Sequence, residues 1–170
     1  MKTALLVIDM QNDYLWPKRK ARFAYDTRKL TDAVNALIRR CRDDGGDVIY
    51  IRHIIQNLPT NRLLFGYSLA GTEGAELYGG LEIVSDHCFD KLVGDALSNG
   101  RLRELIREKG YEKLRLCGLD ECGCVTSTAL GAAKRGIPVE IVRDGTATVF
   151  PGARVKRARA RLEKAGVKFV

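Results

Sequence analysis

The sequence predicts a single α/β domain spanning residues 1–170, in which a doubly wound parallel sheet lies between two layers of helices. Three observations predict this three-layer α-β-α class. The length of 170 residues suits one domain. Short apolar runs alternate along the chain with longer segments whose apolar residues recur at helical spacing. Such alternation is typical of a parallel sheet whose connecting helices cover both faces.

The first third of the chain supplies two predicted strands and one helix. Residues 4–8 (Ala-Leu-Leu-Val-Ile) form a continuous apolar run, as expected for a strand buried on both faces. Residues 27–43 place apolar side chains at helical spacing, and either Asp26 or Thr27 is a suitable helix cap. Residues 48–51 (Val-Ile-Tyr-Ile) predict a second strand.

The rest of the chain continues the alternation after a long irregular segment at 53–80. That segment contains Pro59 and several glycines, and loops of such length in compact domains are commonly functional. The remaining predicted elements are a strand near 82–85, a helix at 100–109, a strand at 113–117, a helix at 124–135, a strand at 138–142, a helix at 152–165 and a strand at 167–170.

Composition and charge narrow the function classes. The chain is 45% hydrophobic and 29% charged, as in ordinary globular proteins, and no apolar stretch approaches the roughly 18 residues that span a bilayer. The first apolar run meets Asp9 after five residues, so we interpret it as a strand and expect a cytoplasmic protein with no membrane partner. The net charge of +8 comes from basic residues spread along the chain without interleaved aromatics, which disfavours nucleic acid as the main partner.

Cys124 is the most informative of the five cysteines. It opens the predicted helix at 124–135, where unpaired N–H groups and the positive end of the helix dipole favour a thiolate. Cys41 and Cys117 fall at inward-facing positions and are expected to pack in the core, whereas Cys122 is a second candidate thiol. An odd cysteine count in a chain of this size argues against a disulfide framework, and the Cys-Gly-Cys pair has no partner pair at zinc-site spacing.

Asp9 and Lys91 each follow a predicted strand. Both are therefore expected to project, together with Cys124, from the carboxyl edge of the sheet, where such sheets bind ligands. A half-buried Asp9 is suited to act as a base, and a cation at Lys91 would stabilise a Cys124 thiolate. The two histidines, His53 and His87, offer no local metal-binding spacing, and a cysteine–histidine pair would require one of them to reach in from its loop.

Several short motifs occur in an order that resembles one family over nearly the whole chain. They are residues 5–13 (Leu-Leu-Val-Ile-Asp-Met-Gln-Asn-Asp), residues 71–77 (Gly-Thr-Glu-Gly-Ala-Glu-Leu), Asp90-Lys91, Gly118, Cys124-Val125-x-x-Thr128-Ala129, Ala132 to Gly136, and residues 142–148 (Val-Arg-Asp-Gly-Thr-Ala-Thr). Each motif is weak alone, but their order and spacing together are specific. By these motifs the chain resembles the isochorismatase-like cysteine hydrolases, which include nicotinamidases, carbamoylsarcosine amidase and ureidoacrylate amidases.

The resemblance implies a six-stranded, mostly parallel, Rossmann-like sheet and an Asp–Lys–Cys triad, which maps onto Asp9, Lys91 and Cys124. It also implies a cis peptide bond between Leu119 and Asp120, and an oxyanion hole formed by the backbone N–H groups of Asp120 and Cys124. Members of the family usually form dimers or larger oligomers. We therefore expect a homo-oligomer that acts on a small molecule and needs no cofactor.

Two departures from the family pattern shape the expected chemistry. Nicotinamidases carry an Asp-x-His metal set after the second strand, where this chain reads His53-Ile54-Ile55, so we expect no metal and do not favour nicotinamide as the substrate. Isochorismatases proper act on a vinyl ether and lack the catalytic cysteine, whereas Cys124 is present here. We therefore predict hydrolysis of a small amide or ureido C–N bond through a thioester, with Gln11 contacting the substrate.

Two other interpretations stay open at this stage. The first is a non-catalytic member of the same fold that binds RNA or another partner through its basic surface. The second is a redox role for Cys122 and Cys124, which is disfavoured because cysteines separated by one residue form a strained disulfide.

Overall fold

The computed structural model describes residues 2–170, and its centre is one six-stranded sheet. The strands are β1 (Thr3–Ile8), β2 (Asp47–His53), β3 (Cys88–Lys91), β4 (Lys113–Gly118), β5 (Val139–Thr146) and β6 (Lys168–Phe169). They lie in the order β3-β2-β1-β4-β5-β6, and every neighbouring pair is parallel. The predicted six-stranded parallel sheet is confirmed, and the direction in which strands are added reverses between β1 and β4.

Within residues 2–170, six α-helices connect and cover the strands. They are α1 (Asn12–Leu15), α2 (Thr27–Asp43), α3 (Pro59–Leu64), α4 (Gly100–Lys109), α5 (Thr126–Lys134) and α6 (Gly152–Lys164). Helices α4, α5 and α6 pack with Leu6 and Ile8 in one core, whereas α1 and α2 pack with Leu5 and Val7 in a second core. Successive side chains of β1 thus enter opposite cores, which explains its continuous apolar run and confirms the three-layer class.

Helix α2 has the bounds that the sequence predicted. Of the two candidate caps, Asp26 is the one used, because its carboxylate accepts a hydrogen bond from Lys29 N at 3.0 Å. Such a cap satisfies an otherwise unpaired N–H group and is typically worth about 1 kcal/mol. Leu30, Val34 and Ile38 recur at helical spacing and are buried against the sheet.

The predicted strand near 82–85 is wrong. The hydroxyl of Tyr50 donates to Glu82 O at 2.8 Å and accepts from Val84 N at 3.0 Å, so this segment is held by a side chain and does not pair in the sheet. The strand that pairs with β2 on the side away from β1 is β3, which begins at Cys88, three residues after the predicted strand ends. It is an edge strand, and two of its four residues are exposed, so it lacks the apolar run that marks the buried strands.

The segment at 53–80 is mostly irregular, as predicted, although it contains α3 and a single helical turn at Glu73–Ala75. No residue of α3 is buried. Within residues 2–170, none of the helices has the length and apolar character needed to cross a membrane.

Candidate active site

Three chemically reactive side chains meet at the carboxyl edge of the sheet. Asp9 directly follows β1, Lys91 is the last residue of β3, and Cys124 lies in the turn that follows β4. Lys91 is therefore part of a strand, whereas the sequence placed it after one, because β3 lies later in the chain than predicted. In open parallel sheets, ligands bind at this edge where the strand order reverses, here between β1 and β4.

The ammonium group of Lys91 joins the other two side chains. Its Nζ donates to Asp9 Oδ2 at 3.0 Å and to Cys124 Sγ at 3.1 Å. Lys91 is 2% exposed and Asp9 is 3% exposed, so this ion pair is shielded from water. Asp9 Oδ1 is also buried and accepts no hydrogen bond within residues 2–170. The structure thus brings together the three residues that the sequence selected, with one carboxylate oxygen still able to accept a proton.

The backbone at Asp9 is in the left-handed region, with φ of 53°. Few residues other than glycine adopt this conformation, and it costs about 1–3 kcal/mol. It is held by a hydrogen bond from Asp9 N to Ile51 O and by one from Gln11 N to Asp9 O, both 2.9 Å long. The two bonds turn the chain sharply after β1 and direct the carboxylate towards Lys91.

Gly118 ends β4 and starts the turn that carries the thiol. Its φ is 104°, and a Cβ atom at this position would lie 2.1 Å from Ile8 O. Only glycine therefore allows β4 to approach β1 so closely. The following Leu119–Asp120 bond is trans, as are all peptide bonds within residues 2–170, which differs from the predicted cis bond. Gly118 itself redirects the chain, and a non-proline bond favours trans by about 3 kcal/mol.

Cys124 lies in a wide turn, Glu121–Val125, and α5 begins two residues after the thiol. Gly123 interrupts the helical conformation with φ of −114° and ψ of −108°. The predicted helix at 124–135 therefore begins later than expected, and Cys124 precedes the helix instead of opening it. The thiol is still within one turn of the N-terminus of α5.

The carboxylate of Asp120 holds this turn in place. It accepts four hydrogen bonds: from Cys122 N at 2.8 Å, from the Thr148 hydroxyl at 2.9 Å, from the Tyr25 hydroxyl at 3.0 Å and from Val149 N at 3.1 Å. The backbone oxygen of Asp120 accepts from Gly123 N and Val125 N. The N–H groups of Asp120 and Cys124, which the sequence predicts as oxyanion donors, take no part in these bonds.

A second anchor of the turn was missed by the sequence analysis. Arg159 on α6 binds both oxygens of Glu121, at 2.6 Å and 3.1 Å, and Glu121 is buried. Paired hydrogen bonds of this kind fix orientation as well as distance. Nothing in the sequence predicts this pairing. Glu121 and Arg159 are 38 residues apart, and the alternation of strands and helices does not tell which side chains meet.

Burial, followed by the Asp9 carboxylate, raises the pKa of the Cys124 thiol to about 12 against the opposing effect of Lys91. The sequence analysis expected the helix terminus and Lys91 to favour a thiolate. In the resting site the pKa of Cys124 is raised instead, because burial and the carboxylate outweigh the effect of Lys91. Burial alone would lower the pKa of Lys91, but Asp9 and the Cys124 sulfur more than offset it, so the pKa of Lys91 is raised. The resting site thus holds a thiol beside an ammonium group.

The other cysteines lie away from this cluster. Cys117 is fully buried and Cys41 packs against the second core, as predicted. Cys122 is half-buried, and burial raises the pKa of its thiol. Because Lys91 Nζ donates to Cys124 Sγ, the geometry selects Cys124 over Cys122 as the thiol of the site.

Gln11, which the sequence analysis assigned to substrate contact, is buried and used elsewhere. Its Nε2 donates to His53 O at 3.0 Å and to Ala75 O at 2.8 Å, and its Oε1 accepts from His53 N at 2.8 Å. Both amide hydrogens are therefore occupied, and Gln11 is 0% exposed. The structure gives this side chain a different use from the predicted substrate contact: it ties the end of β2 to the backbone of Ala75.

The residues at the end of β2 do not fit a metal ion. Ile54 and Ile55 have no ligating side-chain atom, and His53 Nδ1 faces Lys91 Nζ at 3.4 Å. Among residues 2–170, no cluster of three or more His, Cys, Asp or Glu side chains has a geometry that could hold a metal.

A parallel α/β sheet with a buried acid, a buried lysine and a half-buried thiol beside its reversal point defines a Rossmann-like protein with a thiol-containing site. The family model described as the isochorismatase domain matches residues 3–170. The chain therefore belongs to the isochorismatase family, and the resemblance inferred from its motifs is confirmed.

Two relatives of known sequence are similar over most of their length. An uncharacterized isochorismatase family protein from Bacillus subtilis, YddQ, is 28% identical over 149 residues, which cover 87% of this chain and 79% of that protein. A probable inactive nicotinamidase from Arabidopsis thaliana is 28% identical over 162 residues, which cover 88% of this chain and 82% of that protein.

Solved structures share the whole fold. A pyrazinamidase/nicotinamidase from Streptococcus mutans superposes with a TM-score of 0.85 at 21% identity, covering 99% of this chain and 100% of that one. The N-carbamoylsarcosine amidase from Thermoplasma acidophilum gives a TM-score of 0.82 at 24% identity, covering 99% and 95%. A pyrazinamidase from Pyrococcus horikoshii, in complex with zinc, gives 0.80 at 27% identity, covering 100% and 99%. At the first two identities the likeness is one of fold.

Proposed function

We propose that this protein hydrolyses a small amide or ureido compound through a thioester on Cys124. One observation carries the proposal: the buried Lys91 Nζ lies 3.0 Å from Asp9 Oδ2 and 3.1 Å from the half-buried Cys124 Sγ at the carboxyl edge of the sheet. A nucleophile, a base and a cation in contact are what acyl transfer by a thiol requires. The amidases among the structures of the same fold support this reaction class.

The first step is attack on the carbonyl carbon. With a pKa of about 12, the Cys124 thiol is protonated at neutral pH, so its proton must leave as the sulfur attacks. The Asp9 carboxylate accepts that proton, and Oδ1 is the buried oxygen without another donor. Lys91 offsets the negative charge that passes between the carboxylate and the sulfur. Proton transfer by a positioned side chain contributes about 10²–10⁴-fold to the rate.

The second requirement is stabilisation of the tetrahedral oxyanion. We assign this role to the backbone N–H groups of Asp120, which precedes the turn, and of Cys124, which lies within it. One such donor is worth about 3 kcal/mol in comparable sites. The anchored Asp120 carboxylate and the Glu121–Arg159 pair keep the turn rigid, so the donors need not reorganise during the reaction.

Collapse of the tetrahedral intermediate breaks the C–N bond. Protonated Asp9 returns its proton to the departing nitrogen, which leaves as ammonia or an amine. Water then attacks the thioester while Asp9 takes one of its protons, and the acyl group departs as the acid. The Cys124 sulfur recovers a proton from Asp9, which restores the resting thiol and carboxylate.

Nicotinamide is not the substrate we favour. A pyrazinamidase of the same fold was solved in complex with zinc. In this chain the place after the second strand, where the family pattern puts metal ligands, holds His53, Ile54 and Ile55, which do not fit a metal. A small amide or ureido compound that needs no metal to polarise its carbonyl matches the protein groups present. The substrate within that class is to be identified by screening.

The test is ammonia release from a panel of small amides and ureido compounds. Cys124→Ala is expected to abolish turnover without unfolding the protein, whereas the matched control Cys122→Ala is expected to keep it, because its sulfur lies outside the Lys91 contact. Equal loss from both variants would refute the assignment to Cys124. Light scattering of the same samples measures the expected homo-oligomer.

A non-catalytic member of the fold is the second candidate, since one similar protein is described as a probable inactive nicotinamidase and the chain carries a net charge of +8. That candidate predicts no turnover of any panel compound together with RNA binding that weakens steeply with salt. Turnover that depends on Cys124 would exclude it.

A further inference from the structure

His53 is the fourth polar side chain of the cluster, and the proposed reaction does not use it. It ends β2, next to the strand that ends in Lys91, and its Nδ1 lies 3.4 Å from Lys91 Nζ. The sequence analysis left open whether either histidine reaches the site. Among the described residues, His53 Nδ1 lies within hydrogen-bonding distance of the lysine, and the Cys124 sulfur is hydrogen-bonded by Lys91 and not by His53.

The backbone of His53 is fixed from two sides. The Gln11 side chain binds both His53 N and His53 O, at 2.8 Å and 3.0 Å. On the other side, Ile54 N donates to Lys91 O at 2.9 Å. The imidazole therefore keeps its place relative to both β1 and β3. The buried Gln11 amide thus fixes the position of the His53 backbone.

The three hydrogens of the Lys91 ammonium match three acceptors. Asp9 Oδ2 and Cys124 Sγ take two, and His53 Nδ1 is the nearby acceptor for the third. An imidazole can accept at Nδ1 only when it is neutral and carries its hydrogen on Nε2. Burial lowers the pKa of His53, Lys91 lowers it further, and Asp9 opposes this effect only in part. The imidazole is therefore neutral around pH 7.

We propose that His53 is a positioning residue: its neutral imidazole accepts the third hydrogen of Lys91 and holds Nζ between Asp9 and Cys124. The inference rests on the proposed function, because it concerns how the same lysine is aimed. Without the imidazole, the ammonium is free to turn towards the carboxylate alone, and the sulfur then loses its cationic partner. His53 does not touch the reacting carbonyl, so its effect falls on the rate of the chemical step.

The geometry also makes the site sensitive to acid. The charged or titratable groups that face His53 are Asp9 from β1, Lys91 from β3 and, beyond the lysine, Cys124 from the turn after β4. A protonated imidazole would place a second cation 3.4 Å from Lys91 Nζ. That repulsion would displace the ammonium, so protonation of His53 is expected to reduce the rate as the pH falls below the ordinary histidine range.

The first test compares three variants in the ammonia-release assay. His53→Leu, which removes the acceptor, is expected to lower kcat about 10-fold or more with little change in KM. His53→Asn, whose amide oxygen can stand in for Nδ1, is expected to keep kcat within about 3-fold of wild type. In His53→Asn the acid side of the pH–rate profile should move to lower pH, because the titrating imidazole is gone. His87→Gln controls for loss of a histidine outside the site. Equal activity of His53→Leu and wild type would overturn the proposal.

The second test needs no substrate and uses the wild-type protein. The chain has two histidines, so nitrogen-15 NMR of the imidazoles gives two sets of signals, and His87→Gln assigns them. We expect His53 at pH 7 to carry its hydrogen on Nε2, and to titrate at higher pH in Lys91→Met than in wild type. A hydrogen on Nδ1 at pH 7, or a titration unchanged by Lys91→Met, would overturn the proposal. Absence of any turnover together with the expected spectra would instead reject the proposed function and leave the histidine–lysine contact standing.

Discussion

Removal of the Asp9 carboxylate should separate the reactivity of the Cys124 thiol from catalysis. The Asp9 charge raises the pKa of Cys124, so Asp9→Asn lowers that pKa. Asp9 Oδ2 and Cys124 Sγ each lie within 3.1 Å of Lys91 Nζ and are therefore at most about 6 Å apart. Two unit charges at about 6 Å and an effective dielectric constant of about 20 interact by about 3 kcal/mol, so the thiolate fraction at pH 8 should rise about 100-fold.

The expected gain in alkylation is smaller than the gain in thiolate. Intrinsic nucleophilicity falls with thiol pKa, and a hundredfold change in acidity costs about 10-fold in reactivity per thiolate. Iodoacetamide should therefore modify Cys124 about 10-fold faster in Asp9→Asn than in wild type. Amide turnover should fall about 10²–10⁴-fold, because no group remains to accept and return the proton.

The assay is iodoacetamide labelling at pH 8 in a Cys122→Ala background, with the modified residue located by mass spectrometry. Cys117 lies on the same stretch of chain but is fully buried and serves as an internal negative control. Faster labelling with lost turnover is the expected pair of results. Labelling that is equal or slower in Asp9→Asn would refute the view that the carboxylate suppresses the resting thiolate.

Two further predictions concern stability. Lys91→Met should lower the free energy of unfolding by about 3–5 kcal/mol in urea titrations at pH 7, because it leaves the Asp9 charge buried without a partner. The pKa of Lys91 is raised in the folded state, so the difference in free energy of unfolding between wild type and Lys91→Met should be constant below the ordinary pKa of 10.5 and shrink as the pH rises above it. A difference that stays constant up to pH 12 would contradict the prediction. Gly118→Ala should lower Tm by more than 5 °C or prevent folding, since the added methyl group would lie 2.1 Å from Ile8 O. A Tm within 1 °C of wild type would show that the two strands can separate without cost.

The central strands could be predicted from the sequence because each is buried on both faces. The continuous apolar runs at 4–8 and 48–51 predict buried strands, and the first of them places Asp9 at the carboxyl edge of the sheet. Strand β3 could not be found in the same way, because an edge strand with two exposed residues carries no such run. Lys91 was still selected as a candidate, since the family resemblance does not depend on assigning the strand, and the structure places it in contact with Asp9 and Cys124.

Properties set by burial and by contacts between distant residues were not predictable. The sequence indicates a thiol near a helix terminus but not that burial and Asp9 together raise its pKa to about 12. Gln11 and His53 are 42 residues apart, and only the parallel pairing around β1 and β2 brings them into contact. The sequence analysis assigned Gln11 to the substrate because it is polar and follows a strand. In the structure its side-chain amide is hydrogen-bonded to the backbone of His53 in the neighbouring strand.

Lys91 lies on the edge strand β3, so local unfolding of that strand would inactivate the proposed site. Strand β3 has four residues and pairs only with β2, yet it supplies the ammonium group that contacts both the carboxylate and the sulfur. Edge elements of a protein detach locally at lower free energy than its centre. Low concentrations of denaturant should therefore abolish the proposed turnover while most of the secondary structure is intact. Dilution of the denaturant should restore turnover as fast as β3 re-forms its hydrogen bonds with β2.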